Sequence, residues 1–105
     1  MEPDLLELEF RGELWHWRGP SPFHFISVPD EASAAIRAVA AMVTYGWGMI
    51  PVEARIGETA WETSLFPKEG RYVLPIKDAA RRTEELALGD VVAVRMVIRE
   101  RPGWR

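Results

Sequence analysis

The chain has 105 residues, of which 48% are hydrophobic and none is cysteine, and its formal net charge is −3. This length suits one compact domain and is too short for two of ordinary size. The lack of cysteine excludes disulfides, thiol catalysis and cysteine metal sites. The acidic balance has the wrong sign for a protein whose main task is to coat nucleic acid.

The sequence shows no sign of export or of membrane insertion. No stretch approaches the roughly 20 apolar residues of a membrane span, and the first residues, MEPDLLELEF, lack the basic and apolar regions of a signal peptide. We therefore expect a cytoplasmic protein with no membrane partner.

The first predicted element is a half-buried strand. Over Leu6–Phe10, apolar residues alternate with charged ones, which places the apolar side chains inward. Gly12 interrupts the pattern. In an unbroken alternation, Trp15 and Trp17 would lie on the same face as the charged residues before Gly12. A bulge at Gly12 would return both rings to the core, whereas without a bulge both would lie on the outer face.

The middle of the chain predicts a second strand and a helix. Phe23–Val28 is apolar enough for a strand, and Pro29 ends it. Asp30 is a candidate N-cap, and apolar residues recur at helical spacing as far as Met42. The glycines of Tyr45–Gly48 predict the end of this helix.

The second half of the chain predicts a hairpin and a second strand–helix–strand segment. Ile50–Ile56 and Thr59–Phe66 alternate on either side of a Gly-Glu turn, and the first of them has Ile50, Val52, Ala54 and Ile56 on one face. Tyr72–Ile76 then leads into a helix that begins near Lys77. Val91–Ile98 follows a Gly-Asp turn, and its inward side is predicted to be Val92, Val94, Met96 and Ile98. With the strands before them, these elements give about seven strands and two short helices.

Two segments, Phe25–Ile56 and Tyr72–Ile98, follow the same order: apolar strand, proline, helix with alanine and arginine, glycine, valine-rich strand. The order is either a coincidence of common elements or an internal repeat. A repeat would let two halves interleave their strands into a barrel with few unpaired edges. We therefore predict a mainly β fold, a closed or double-split small barrel with an internal pseudo-two-fold repeat. It would form a single domain over residues 1–105, with a frayed tail over 98–105 in which Trp104 could dock.

Three segments resemble a known family: ELWHWRGPSPFHFISVP, GWGMIPVEARIGETAWETSLFPKEGRYVLPIKDAARR and LALGDVVAV. They are similar to the bacterial domain-of-unknown-function family DUF1905, over roughly Leu6 to Ile98. The resemblance implies no assigned activity. It implies a small β-barrel grouped near the swapped-hairpin transcription regulators of the AbrB and MazE type. Those regulators build the barrel from two chains, and here two halves of one chain would build it.

Lys77, Arg81 and Arg82 form the densest basic group. Arg81 lies one helical turn after Lys77, so these two could bind one anion. Asp78 lies close enough to neutralise the group, and it is four residues before Arg82, with which we expect an exposed ion pair. The alternatives are an ordinary solvated helix face or a site for phosphate, nucleic acid or an acidic partner.

Trp15, Trp17, Trp47 and Trp61 are candidates for a surface on which bases or another flat ligand would stack. Packing is the alternative, because tryptophan is highly buried on average, and we expect packing for Trp61. If Trp15 and Trp17 lie outside, they form an apolar patch suited to a partner.

Other side chains predict neither catalysis nor metal binding. His16 and His24 could face each other across a hairpin, but they belong to no ligand motif. Thr59, Thr63 and Ser64 lie in no nucleophile elbow. We expect no catalytic residues, no metal and no cofactor.

The sequence therefore predicts a non-enzymatic binding module for a protein or small-molecule ligand. The binding surface would include Trp15 and Trp17, or Lys77, Arg81 and Arg82. One alternative is a nucleic-acid-binding transcription regulator, by analogy with AbrB and MazE barrels. Nucleic acid is disfavoured as a partner because the net charge is negative and no strand is as basic as those of the regulators. A second alternative is an enzyme with a pocket at one barrel end. The sequence does not indicate an oligomeric state.

Overall fold

The computed structural model describes residues 4–20, 22–44 and 48–99. Helix α1 spans Asp30–Val43 and helix α2 spans Asp78–Thr83. The strands in chain order are β1 (Asp4–Trp17), β2 (Phe23–Val28), β3 (Ile50–Ile56), β4 (Thr59–Lys68), β5 (Arg71–Ile76) and β6 (Val91–Arg99).

The six strands form a closed antiparallel barrel in the order β1-β2-β5-β4-β3-β6. This circular order is unchanged when β1, β2 and β3 are exchanged with β4, β5 and β6. The chain therefore consists of two equivalent halves, β1-β2-α1-β3 and β4-β5-α2-β6, and they interleave because β2 pairs with β5 and β3 pairs with β6. The predicted closed barrel with an internal pseudo-two-fold repeat is confirmed.

The prediction of about seven strands is wrong because β1 continues without interruption through Gly12. Its first part pairs with β6, in unbroken register from Leu6 to Glu13, and its last part pairs with β2 from Leu14 onward. The inward parity of the first part therefore continues to Leu14, which is fully buried. Gly12 forms no bulge, and the residues after Leu14 keep the alternation of the strand.

The inward side chains of all six strands, together with Ile36 of α1 and Ala80 of α2, form one hydrophobic core. Trp61 is 7% exposed, and its indole N–H donates a hydrogen bond of 3.1 Å to the carbonyl of Pro75. The expected packing role of Trp61 is confirmed. Burial of alternate residues along β3 and β6 agrees with the predicted inward sets, which are Ile50, Val52, Ala54 and Ile56, and Val92, Val94, Met96 and Ile98.

The two helices cover opposite ends of the barrel. On the antiparallel strands β2 and β5, Val28 lies opposite Tyr72 at one end and His24 lies opposite Ile76 at the other. Helix α1 follows Val28, and its fully buried Ser33 joins both strands: the Ser33 hydroxyl donates to the carbonyl of Val28 and accepts from the N–H of Tyr72, each at 3.2 Å. Helix α2 follows Ile76 at the other end.

The two prolines that indicated the repeat occupy different positions. Pro29 is the N-cap of α1 and directly follows β2, whereas Pro75 lies inside β5, two residues before the N-cap Lys77. The pairing of β4 with β5 ends at Phe66 and Val73, before it reaches Pro75. Proline has no N–H to donate to a neighbouring strand, and the Trp61 indole supplies a hydrogen bond to its carbonyl instead.

The last strand extends into the predicted tail. Ile98 is fully buried and Arg99 forms ion pairs, so both residues belong to the barrel. The rest of the tail, with Trp104, and residues 45–47 of the predicted helix stop, with Trp47, lie outside the described residues. Within the described ranges, no helix is long and apolar enough to cross a membrane.

We expect Gly12→Ala to destabilise the barrel. A Cβ atom at this position would overlap the carbonyl oxygen of Ser27 and would lie 2.9 Å from Cγ2 of Ile26. Overpacking of this kind costs about 1–3 kcal/mol, and backbone cannot move aside as a flexible side chain can. Urea unfolding followed by tryptophan fluorescence should show a loss of about 2 kcal/mol. Ala93→Ser, on the exposed face of β6, should change the free energy of unfolding by less than about 0.5 kcal/mol. Equal stability of the two variants would contradict the close approach of β1 to β2.

We also expect Ser33→Ala to cost about 1–3 kcal/mol, because it leaves the buried N–H of Tyr72 without an acceptor. Amide hydrogen exchange at Tyr72 should become faster. Thr44→Ala removes an exposed hydroxyl next to the C-terminal end of the same helix and should have little effect. If both variants unfold at the same urea concentration as the parent protein, Ser33 does not fasten α1 to the strands.

Candidate functional site

The outer surface of the barrel has a charged side and an aromatic side. On β1, β3 and β6 the outward residues include ion pairs, namely Arg95 with Glu9 at 2.9 Å and Arg99 with Asp4 at 3.0 Å and Glu53 at 2.7 Å. On the last part of β1 and on β2, β4 and β5, large apolar residues face outward instead. We call these residues the aromatic face: Trp15, Trp17, Phe23, Phe25, Phe66, Val73 and Pro75.

The strand register explains why these rings point outward. Trp15 lies opposite Phe25 and Trp17 lies opposite Phe23, and opposite residues of an antiparallel pair share one face of the sheet. The neighbouring pair, Leu14 and Ile26, is fully buried, so the alternate residues must face away from the core. Of the two outcomes considered for Gly12, the structure shows the one in which Trp15 and Trp17 lie outside.

Phe25 is the centre of the aromatic face. Its ring centroid lies 5.2 Å from that of Trp15, 5.8 Å from that of Phe23 and 6.2 Å from that of Phe66, and the ring planes are inclined by 31°, 48° and 68°. The Trp15 indole N–H donates to the Ser27 hydroxyl at 3.0 Å. These contacts hold the rings in place, and the inclinations make the surface ridged rather than flat.

Three rings of the face are strongly exposed: Trp17 by 46%, Phe23 by 40% and Phe66 by 41%. Together with Phe25, Thr63 and Pro75 they line a depression of about 340 Å³. The depression lies where the pairing of β4 with β5 has ended. Exposed apolar residues that adjoin one another in this way, rather than lying scattered singly, are candidates for a binding site.

A second depression, of about 360 Å³, lies on the α1 side of the aromatic face. Trp15 and Val73 border it, and charged residues form much of the remaining lining. These charges have both signs: Lys68 lies 3.9 Å from Glu69, and Arg71 lies 3.4 Å from Asp30 on α1. The second depression, next to the apolar one, is therefore polar, and its positive and negative charges nearly balance.

The three residues of the predicted basic group have different surroundings. Lys77 and Arg82 are exposed, whereas the Arg81 side chain is only 23% exposed and its Nη2 lies 3.5 Å from Oδ1 of Asp78. The expected pair of Asp78 with Arg82 is wrong, because Asp78 pairs with Arg81 three residues along the helix. Binding of an anion between Lys77 and Arg81 stays a prediction.

A polar cluster of His16, His24, Asp78 and Arg81 lies at the α2 end of the barrel. The rings of His16 and His24 are 4.6 Å apart, and Nδ1 of His24 lies 3.8 Å from Oδ1 of Asp78. Nε of Arg81 is buried and has no hydrogen-bond acceptor among the described residues. The described part of the chain contains no group of three or more metal-binding side chains that could hold an ion.

The comparison with known families agrees with the fold. The family model "Domain of unknown function (DUF1905)" matches residues 10–96. The chain belongs to the DUF1905 family. No curated protein matches it. The matched span contains every residue of the aromatic face and of the polar cluster.

Sequence reasoning missed Phe23, Phe25 and Phe66. Phe66 could have been found, because it has the opposite parity to Trp61 and Leu65, which face the core. The two phenylalanines of β2 were harder to identify as outward-facing from the sequence, because both faces of that strand are largely apolar. Only the register with β1 shows which face is outside.

The polar cluster predicts a pH dependence of stability. Burial lowers the pKa of His24 below its ordinary value of 6.5, and Arg81 and His16 act in the same direction, while Asp78 opposes them. The unfolded chain then binds the proton more readily than the folded protein does. The stability that neutral His24 contributes is therefore complete above about pH 6.5 and is lost as the pH falls through the folded-state pKa.

Thermal unfolding between about pH 8 and about pH 5 should show this loss, and His24→Gln should make the melting temperature less dependent on pH in that range. An NMR titration of His24 provides the direct check. A measured pKa at or above 6.5 would contradict the expected direction.

Proposed function

We propose that this DUF1905 domain is a non-enzymatic binding module and that its aromatic face holds the partner. The observation that supports this most directly is the joint exposure of Trp17, Phe23 and Phe66 around one depression. Aromatic side chains are enriched at recognition surfaces because each supplies a large apolar area at a low cost in conformational entropy.

The barrel itself does not require aromatic residues at these positions. The outward positions of β1 and β6 on the charged side are occupied by residues such as Glu9 and Arg95, and the same core lies beneath them. Charged outward residues are thus compatible with this architecture. The rings of the aromatic face need a different explanation from folding, and contact with a partner supplies one.

The surroundings of the face favour binding over catalysis and over contact with a polyanion. Of the described residues that line the apolar depression, Thr63 has the only polar side chain apart from the indole of Trp17. Near the second depression, Lys68 and Arg71 lie beside acidic residues, so cations do not dominate the field there. A partner with apolar groups suits these surroundings better than a nucleic acid backbone does.

A comparison of two double variants tests this proposal. Trp17→Ser with Phe66→Ser changes the aromatic face, and Val91→Ser with Leu88→Ser removes two other large exposed apolar side chains that lie outside it. Both variants should keep the thermal stability of the parent within a few degrees. Each protein is immobilised and incubated with a lysate of the source organism, and retained proteins and small molecules are identified by mass spectrometry.

We expect at least one partner to be retained by the parent and by the control variant, and to be at least tenfold less abundant on the variant of the aromatic face. If all three proteins retain the same molecules in equal amounts, the proposal is wrong.

A further inference from the structure

The exposed rings of the aromatic face offer much less area than a stable interface between two copies of this chain needs. Trp17, Phe23 and Phe66 are each between two-fifths and one half exposed. Because an aromatic side chain has roughly 150–250 Å² of surface, the three together offer on the order of 250 Å². A standard interface buries about 800 Å² on each partner. A narrow, extended partner matches the available area better than a second folded domain.

The tilts of the rings disfavour a single flat ligand. A sugar ring or a base stacks on an aromatic ring that lies parallel to it. Phe25 is inclined by 31° to Trp15 and by 68° to Phe66, so these rings form no common platform. A partner with protruding side chains fits between these inclined rings better than a flat ligand does.

The closed barrel disfavours an extended partner that binds by adding a strand. β2 pairs with both β1 and β5 along the face. Beside the depression β5 is not paired with β4, but Pro75 has no N–H to offer there, and its carbonyl already accepts a hydrogen bond from the Trp61 indole. A polyproline II helix needs no such edge, because it has no internal hydrogen bonds and is recognised by aromatic-lined grooves. The Trp17 indole N–H has no acceptor among the described residues and is free to donate to a peptide carbonyl.

The ring contacts show where a peptide can enter. Trp15 and Phe66 lie in contact with Phe25, at centroid distances of 5.2 and 6.2 Å, and so occupy its flanks. The open position is the depression of about 340 Å³ between Trp17, Phe23 and Phe66. A polyproline II helix has three residues per turn, so prolines at positions i and i+3 lie on the same side and can both face this depression.

We infer that the aromatic face binds an extended, proline-rich peptide segment in the polyproline II conformation. This inference rests on the proposed function and specifies the class of partner. Proline rings pack into the depression between Trp17, Phe23 and Phe66, and a backbone carbonyl of the peptide accepts a hydrogen bond from the Trp17 indole.

Selection from a displayed library of random 12-residue peptides tests the inference. Peptides are selected on the parent protein, and those that also bind the Trp17→Ser, Phe66→Ser double variant are removed. We expect the remaining peptides to be enriched in prolines that recur at a spacing of three. Peptides that depend on the face but lack this enrichment would overturn the inference and leave the proposed function standing. If no peptide depends on the face, the inference is wrong, and the lysate experiment decides the proposed function separately.

NMR titration with N-acetylated, C-amidated decaproline provides the second test. Chemical shift changes should centre on the Trp17 indole and on Phe23, Phe25 and Phe66, while the amide of Ser33, at the α1 end of the barrel, stays unchanged. Trp17→Phe keeps a ring but removes the donor, and it should weaken binding roughly fivefold, as loss of one hydrogen bond implies. A glycine–serine peptide of equal length should cause no such changes. Equal responses to both peptides, or responses only to a decathymidine oligonucleotide or to cellohexaose, would overturn the inference.

Discussion

The structure depends on the close approach of β1 to β2 at Gly12. Because the residue has no side chain, β1 can pass against the Ser27 carbonyl and change its partner from β6 to β2 without a bulge. This single strand therefore closes the barrel. It also fixes the parity of the residues that follow, which places Leu14 in the core and Trp15 and Trp17 on the outside. The core and the candidate site thus share one steric cause.

The pseudo-two-fold symmetry belongs to the backbone and not to the outer side chains. Exchange of the two halves maps β1, β2, β5 and β4 onto one another, so the aromatic face spans the symmetry axis at the β2–β5 pair. The first half contributes Trp15 and Phe25, and the second contributes Phe66 and Pro75. Alignment of the N-caps Pro29 and Lys77 makes Phe25 equivalent to Val73 and Ser27 equivalent to Pro75, so the two sides of the axis carry different side chains. A symmetric scaffold therefore presents an asymmetric surface, which suits a partner with a direction, such as a peptide.

Periodicity and edge closure were enough to predict the barrel and the repeat. Alternation gave the inward sets of β3 and β6, and the recurring strand–helix–strand order gave the two halves. The predicted number of strands was wrong because a glycine within a strand can mark either a bulge or a close approach of another backbone. Only the position of Ser27 on the adjacent strand distinguishes them.

The candidate site was predictable only in part, for a related reason. Trp15 and Trp17 were identifiable from their parity, but Phe25 occupies a strand that is apolar on both faces, and its role as the centre of the face depends on neighbours from β1 and β4. The environment of Arg81 depends on how α2 lies over His24, which is distant in the sequence.

The rigidity of the aromatic face also comes from contacts between neighbouring strands. Trp15, Phe23 and Phe66 all contact Phe25, and Trp15 is also bonded to Ser27, so these four rings have little rotamer freedom left to lose when a partner binds. Such preorganisation lowers the entropic cost of association, and it therefore favours the proposed binding of a short segment by a face of limited area.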